Sequence, residues 1–224
     1  MAMAYRRTPA VQQRLDSLRA SLLQSAIALV AEHGYSGCSM SSVAARSGVG
    51  TGTVYRHFAN KGELFAEVFR IVCSAEVAAA VEAGYLARES DGRNVSAVEA
   101  SVRTFAERAL RAPRLAYAVI AEPVDPQVDT ERLLFRESYR DALATAITAA
   151  IETGEIPDQD ATVTAACIVG AIGEALVLPL ARGAGDPDII AALLAFTLRS
   201  LGSTDELHTR SLQPSPTTDR LRRS

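Results

Sequence analysis

The chain has 224 residues, 48% of them hydrophobic but only 5% aromatic, with no tryptophan. That length allows one or two domains with a substantial core, and a core of Ala, Leu, Val and Ile with few aromatics favours packed helices over a β-sandwich. The net charge of −3 is uneven, +4 over residues 1–70 and −7 over the rest, a basic head on an acidic body that suits a nucleic-acid-binding unit attached to something that must not stick to nucleic acid.

Residues 1–10 read as an arm carrying Arg6 and Arg7. A first helix is predicted over 13–33, where Leu15, Leu18, Leu22, Ala26, Ile27 and Val30 recur at three- and four-residue steps and Gly34 supplies the stop. Ser39 is a good N-cap for a short second helix, 40–46, with Met40, Val43 and Ala44 as its apolar stripe. Gly48, Gly50 and Gly52 make a tight turn into a third helix, 51–57, with Val54 and Phe58 four apart on one face. Thr51 and Tyr55 share another face, with Gly52 and Arg56 beside them. That face offers hydroxyls, a phenol and a cation with almost no bulk at Gly52. So short and polar a helix is a poor core element and suits a DNA groove. Two short helices joined by a glycine-containing turn form a helix-turn-helix unit.

The residues Gly34-Tyr35, Ser39-Met40, Val43-Ala44, Gly48-Val49, Gly52-Thr53-Val54-Tyr55, His57-Phe58, Asn60-Lys61 and Leu64, in unbroken spacing within 14–65, resemble the TetR family of bacterial transcriptional regulators. The resemblance implies a three-helix DNA-binding head on an all-helical ligand-binding and dimerisation body. Carried over by position, Thr51, Gly52 and Thr53 would approach bases, Tyr55, His57 and Lys61 would hold phosphates, and Arg56 would do either. Ser39 and Ser41 complete the DNA-binding set. Ser41 stands where the family commonly has a cation, Cys38 where it has threonine and Gly50 where it has serine. Losing the cation removes a phosphate contact and flattens the salt dependence of binding.

Asn60 caps a fourth helix, predicted to run unbroken to about Gly84 and so to join head and body rigidly. A polar loop follows at 89–94, then helices at 95–111 and from Pro113 to Ala121, and a break at Glu122–Pro126. The next helix, 130–153, carries Arg132, Arg136 and Arg140 four apart on what reads as a solvated face. Residues 159–181 are apolar nearly all round, which implies burial on every side, including against a second copy. Asp186-Pro187 opens the last helix, Gly202 ends it, and the Ser/Thr/Pro-rich tail at 204–224 reads as disordered. The expectation is an all-α chain, with a helix-turn-helix domain at 1–62 and a six-helix ligand-binding and dimerisation domain at 63–203.

Four of the scarce aromatics, Phe105, Tyr117, Phe135 and Tyr139, fall on the helices that enclose the ligand cavity in the family. With Glu174, a lone charge in an apolar helix, they form the candidate ligand site, for a small apolar or cationic effector. Ile168, Ile172, Ala175, Ile190, Leu194 and Leu201 are the candidate homodimer interface. Cys38, Cys73 and Cys167 fit neither a disulfide framework nor a zinc spacing and read as buried thiols. The scattered His33, His57 and His208 build no metal or nucleophile motif, so neither an enzyme nor a bound cofactor is expected. Arg6, Arg7, Arg14 and Arg19 argue against a secretory leader, and the longest uncharged run, Ala161–Gly173, is too short for a membrane span, which predicts a cytoplasmic protein. The functional expectation is a ligand-responsive regulator, a repressor released from a palindromic double-stranded operator. The alternative is a DNA-organising or interaction protein of the same fold, with a filled body and no ligand.

Overall fold

A computed structural model describes residues 9–183 and 188–202. Among the described residues the elements are α1 (Pro9–His33), α2 (Met40–Arg46), α3 (Thr51–His57), α4 (Lys61–Asp91), α5 (Asn94–Arg111), α6 (Pro113–Ile120), α7 (Pro126–Glu152), α8 (Ala161–Arg182) and α9 (Ile189–Ser200), with no strand. The all-α expectation holds. The arm with Arg6 and Arg7, the Asp186-Pro187 cap and the 204–224 tail lie outside the described residues.

Helices α1 to α3 and the start of α4 share buried Leu22, Ala26, Val43, Val54, Phe58 and Leu64, and the same apolar core continues into the body. The boundary expected at 62/63 thus falls inside the first turn of α4. In the body α4 packs on α5 and α7, α8 packs on α6, α7 and α9, and α9 also reaches α5.

Two helix limits differ from the sequence expectation in ways the local sequence explains. α4 passes Gly84 and stops only at Gly92, whose φ of 74° is the left-handed conformation that closes a helix end. Gly84 is instead a packing residue. A Cβ there would lie 2.6 Å from Ser101 Oγ and 2.8 Å from the Ala97 carbonyl oxygen, so α5 crosses α4 at near-backbone contact. Gly84→Ala is therefore expected to lower stability by about 1–3 kcal/mol by forcing the helices apart. A melting temperature equal to the wild type's would show that the crossing yields freely. α7 begins at Pro126 rather than near residue 130, because a proline that breaks one helix is well placed at N1 of the next.

α8 differs most in its surroundings. At 22 residues and mean hydropathy 2.0 it is, by length and composition alone, enough to cross a membrane, more than the uncharged run to Gly173 suggested. Its Ala165, Ile168, Ile172, Leu176 and Leu180 face the chain's own core, while Val163, Cys167, Ala175 and Leu178 are exposed. Ile168, Ile172, Leu194 and Leu201 are thus core residues of one chain and are not available to a second copy. Of the expected interface set Ala175 is exposed and Ile190 half-buried. Cys38 and Cys73 are buried, with burial pushing the Cys73 thiol up to about 12, whereas Cys167 is exposed, contrary to expectation.

Candidate nucleic-acid interface and body cavity

The α2–α3 unit is set by its caps and its turn. Ser39 Oγ accepts from the Ser42 amide at 3.0 Å and Ser42 Oγ accepts from the Ser39 amide at 2.9 Å, a reciprocal cap that starts α2. Gly48, at φ 68°, supplies the left-handed turn into α3 that a side chain would strain. Buried Val54 and Phe58 then anchor α3 from beneath. Its other face is open: Thr51, Gly52, Tyr55 and Arg56 are exposed, and Thr53 and His57 half-buried. A Cβ at Gly52 would meet nothing within 4 Å, so only an approaching molecule needs the room glycine leaves. Ser41 is exposed beside Ser39, whose hydroxyl is committed to its cap.

Among the described residues, most cations of the head are already partnered. Arg19 pairs with Glu67, Arg46 with Glu32 at 2.6 Å, and Arg70 with Glu131 at 2.5 Å. Among the described residues up to 70, Arg14 and Arg56 make no hydrogen bond or ion pair. Lys61 departs from its expected phosphate role. Its ammonium donates to the Tyr35 carbonyl at 3.0 Å and lies 4.0 Å from the centre of the Tyr35 ring, inside the joint between head and body.

Sequence reasoning missed that joint. The Glu122 carboxylate, in the α6–α7 connection, accepts from the amides of Tyr35 and Ser36 at 2.8 and 3.0 Å and from Ser36 Oγ at 2.7 Å. Tyr35 Oη donates to Asp125 in the same connection, and Arg114 of α6 donates to the Glu32 carbonyl at 2.6 Å. Burial pushes the Glu122 carboxyl up, but donation from Ser36 and Tyr35, with Lys61 nearby, outweighs it and holds the group below the usual carboxylate value. No local pattern signals a contact across 87 residues of sequence.

Among α5, α6, α7 and α8 lies a cavity of about 340 Å³ lined by Phe105, Val119, Ala121, Phe135, Tyr139, Gly173 and Glu174, and also by Arg132 and Arg136. Of the five candidate ligand residues the structure brings together four. Tyr117 does not line it; the residue sits half-buried against the core. Glu174 is exposed at the cavity rather than enclosed within the helix packing. Arg132 is half-buried rather than part of a solvated face, whereas Arg136 is exposed at the cavity rim. They stand at i and i+4 with Phe135 and Tyr139 at i+3 and i+7, so all four share one stripe of α7. Of the three, exposed Arg136 and half-buried Arg140, which pairs with Asp141 at 2.7 Å, keep the solvated reading. Arg132 donates to the carbonyls of Val119, Ala118 and Glu122 at 2.8, 3.0 and 2.6 Å, fastening the end of α6 and the Glu122 connection to the cavity wall. Burial, joined by the nearby Arg136 and opposed by Asp129, holds its guanidinium below the usual arginine value.

Residues 22–68 match the sequence profile of the family described as bacterial regulatory proteins, tetR family. No curated protein sequence matches the chain. Among solved structures the chain is similar to RolR in complex with the ligand resorcinol, at 19% identity and TM-score 0.68, over 92% of this chain and 98% of that one. It is similar to the transcriptional regulator FadR from Bacillus subtilis in complex with stearoyl-CoA, at 18% identity and TM-score 0.67, over 83% and 99%. A protein described as a TetR-family regulator from Mesorhizobium loti is 22% identical, with TM-score 0.64 over 84% and 95%. At these identities the likeness is one of fold.

Proposed function

From the premise that this chain is a TetR-family transcriptional regulator, we propose that it is a cytoplasmic repressor that binds a palindromic operator as a homodimer and is released by a small effector in the body cavity. The observation that carries the DNA half is the open face of α3, with Thr51, Gly52, Tyr55 and Arg56 presented outward over buried Val54 and Phe58. Thr53 and His57 flank it, and Ser39 and Ser41 stand at the α2 end. A two-fold dimer would place its two α3 helices in successive major grooves. With so many head cations internally paired, affinity should vary only gently with salt.

The cavity supports the effector half, and it weighs against a DNA-organising protein, which would have a filled body. Two proteins of similar fold are described with small molecules bound, resorcinol in one and stearoyl-CoA in the other. A largely apolar effector suits the aromatic wall. A cationic one suits it less, because Arg132 and Arg136 stand beside Glu174. Two routes lead from the body to the head: the unbroken α4, which packs on the cavity helices α5 and α7, and the shorter one from Arg132 through the Glu122 connection to Tyr35 and Ser36.

Gly52 separates recognition from folding. Gly52→Ala should stabilise the isolated protein by up to about 1 kcal/mol, since alanine is the better helix residue and meets no neighbour. The same variant should bind operator more weakly, because its methyl group occupies the groove-facing surface. Arg56→Ala should cost about 1–3 kcal/mol and relax discrimination at one base pair. Operators selected from random DNA by the wild type provide the substrate. Wild-type affinity and selectivity in both folded variants would remove α3 as the reading element.

A further inference from the structure

The chemistry of the cavity rim narrows the effector class, an inference that rests on the effector reading above. Arg132 is already spent on three carbonyls and Asp129. Arg136, one helical turn further along and exposed at the rim, lines the same space and makes no side-chain hydrogen bond or ion pair among the described residues. Glu174, contributed by α8, makes none either. The wall between them is aromatic, with its rings near-parallel. Phe105, Phe135 and Tyr139 have ring centroids 5.2 to 6.3 Å apart and planes within 33° of one another. The Tyr139 hydroxyl donates to the Ser101 carbonyl at 3.1 Å, so that ring offers the cavity its apolar surface. On α8, Cβ atoms added at Gly170 and Gly173 would meet nothing within 4 Å, which leaves the slot wide.

We propose that the effector is an aromatic carboxylic acid whose ring lies on the Phe105–Phe135–Tyr139 wall and whose carboxylate pairs with Arg136. A ring hydroxyl or another donor turned towards Glu174 completes the match. A neutral ligand that covered the mouth would desolvate Arg136 without giving it an acceptor, which is costly. A cation would face two guanidiniums against one carboxylate. A planar carboxylate takes the fork of a guanidinium in two parallel hydrogen bonds and resolves the imbalance.

The test uses matched sets on the full chain: benzoate, 4-hydroxybenzoate, 2-naphthoate and biphenyl-4-carboxylate, each with its carboxamide and its aminomethyl analogue. Binding is measured by calorimetry and operator release by fluorescence anisotropy. Acids should bind better than their amides, and Arg136→Gln should reduce acid binding about 10- to 100-fold while leaving the amides unchanged. Arg140→Gln, a turn away and paired with Asp141, should change neither. Gly173→Leu should exclude every member of the sets. Equal binding of acids and amides, a best fit for the amines, or an Arg136→Gln variant that still prefers acids would overturn the acid assignment and leave the effector reading standing. Binding undiminished by Gly173→Leu would place the ligand elsewhere and overturn the site. If no member binds or releases operator, the aromatic assignment falls, and the effector reading is left to non-aromatic ligands.

Discussion

Leu178→Asp should convert the proposed dimer into a folded monomer and cost operator affinity more than 100-fold. Leu178 is 59% exposed and Val163 56% exposed on the outward face of α8, and Phe196 is exposed on neighbouring α9. Small Ala175 lies between them in sequence and is exposed too, so two copies of this face can approach closely. A carboxylate pressed into such a contact is buried without a partner, at a cost of several kcal/mol. At about 1.4 kcal/mol per tenfold, that shifts dimer dissociation by two or more decades. Operator affinity follows because each half-site is then bound singly. Ile168→Asp gives the contrast: Ile168 is fully buried inside its own chain, so a charge there should unfold the monomer. Sedimentation equilibrium with circular dichroism distinguishes the two outcomes. A Leu178→Asp dimer of wild-type strength at micromolar concentration would show that the outward face of α8 is not the interface.

That contrast marks a limit of the sequence. A helix apolar nearly all round announces two buried faces but does not say which one belongs to the chain itself, so Ile168 and Ile172 were assigned to the partner when the core had claimed them. The head was legible because its signals are local. The Ser39 cap, the glycine turn and the Val54–Phe58 anchor each lie within a few residues of what they determine.

The cavity was half legible. Phe105, Phe135 and Tyr139 were found by their scarcity and helix position. Arg132 and Arg136 escape such a reading because a four-residue step of arginines suggests only a solvated stripe, although Phe135 and Tyr139 share that stripe and line the cavity. Gly84 and Lys61 were misread for a common reason. Each looks like a terminal or surface signal in its own segment, and each is fixed by a distant element: α5 pressing on Gly84, and Tyr35 accepting from Lys61.

The Glu122 connection had no local signal at all, and its loss should be the most informative test of how the cavity communicates with DNA. Glu122→Gln keeps the shape but removes the charge, and it presents an amide N–H where the Tyr35 and Ser36 donors already point. Hydrogen bonds to a charged acceptor contribute about 1.5–3 kcal/mol each when buried, and a displaced buried donor costs about as much, so a loss of about 2–4 kcal/mol is expected. Hydrogen exchange at the Tyr35 and Ser36 amides should quicken accordingly, while the α4–α5 crossing keeps its protection. pH should reproduce the effect in the wild type. Because folding lowers the Glu122 pKa, the unfolded state binds the proton more readily. The contribution is thus complete above the ordinary carboxylate range and is lost as pH falls through the depressed folded value. Glu122→Gln should lack this share of the acid-side loss of stability. Function should change with it. An effector that shifts operator affinity about 5- to 150-fold in the wild type should still bind the variant's cavity but shift operator affinity less, since Arg132 would hold a connection whose grip on the Tyr35 and Ser36 amides is weakened, leaving the Tyr35–Asp125 bond. Unaltered exchange at Tyr35 and Ser36, together with undiminished coupling, would leave α4 as the sole carrier between the two sites.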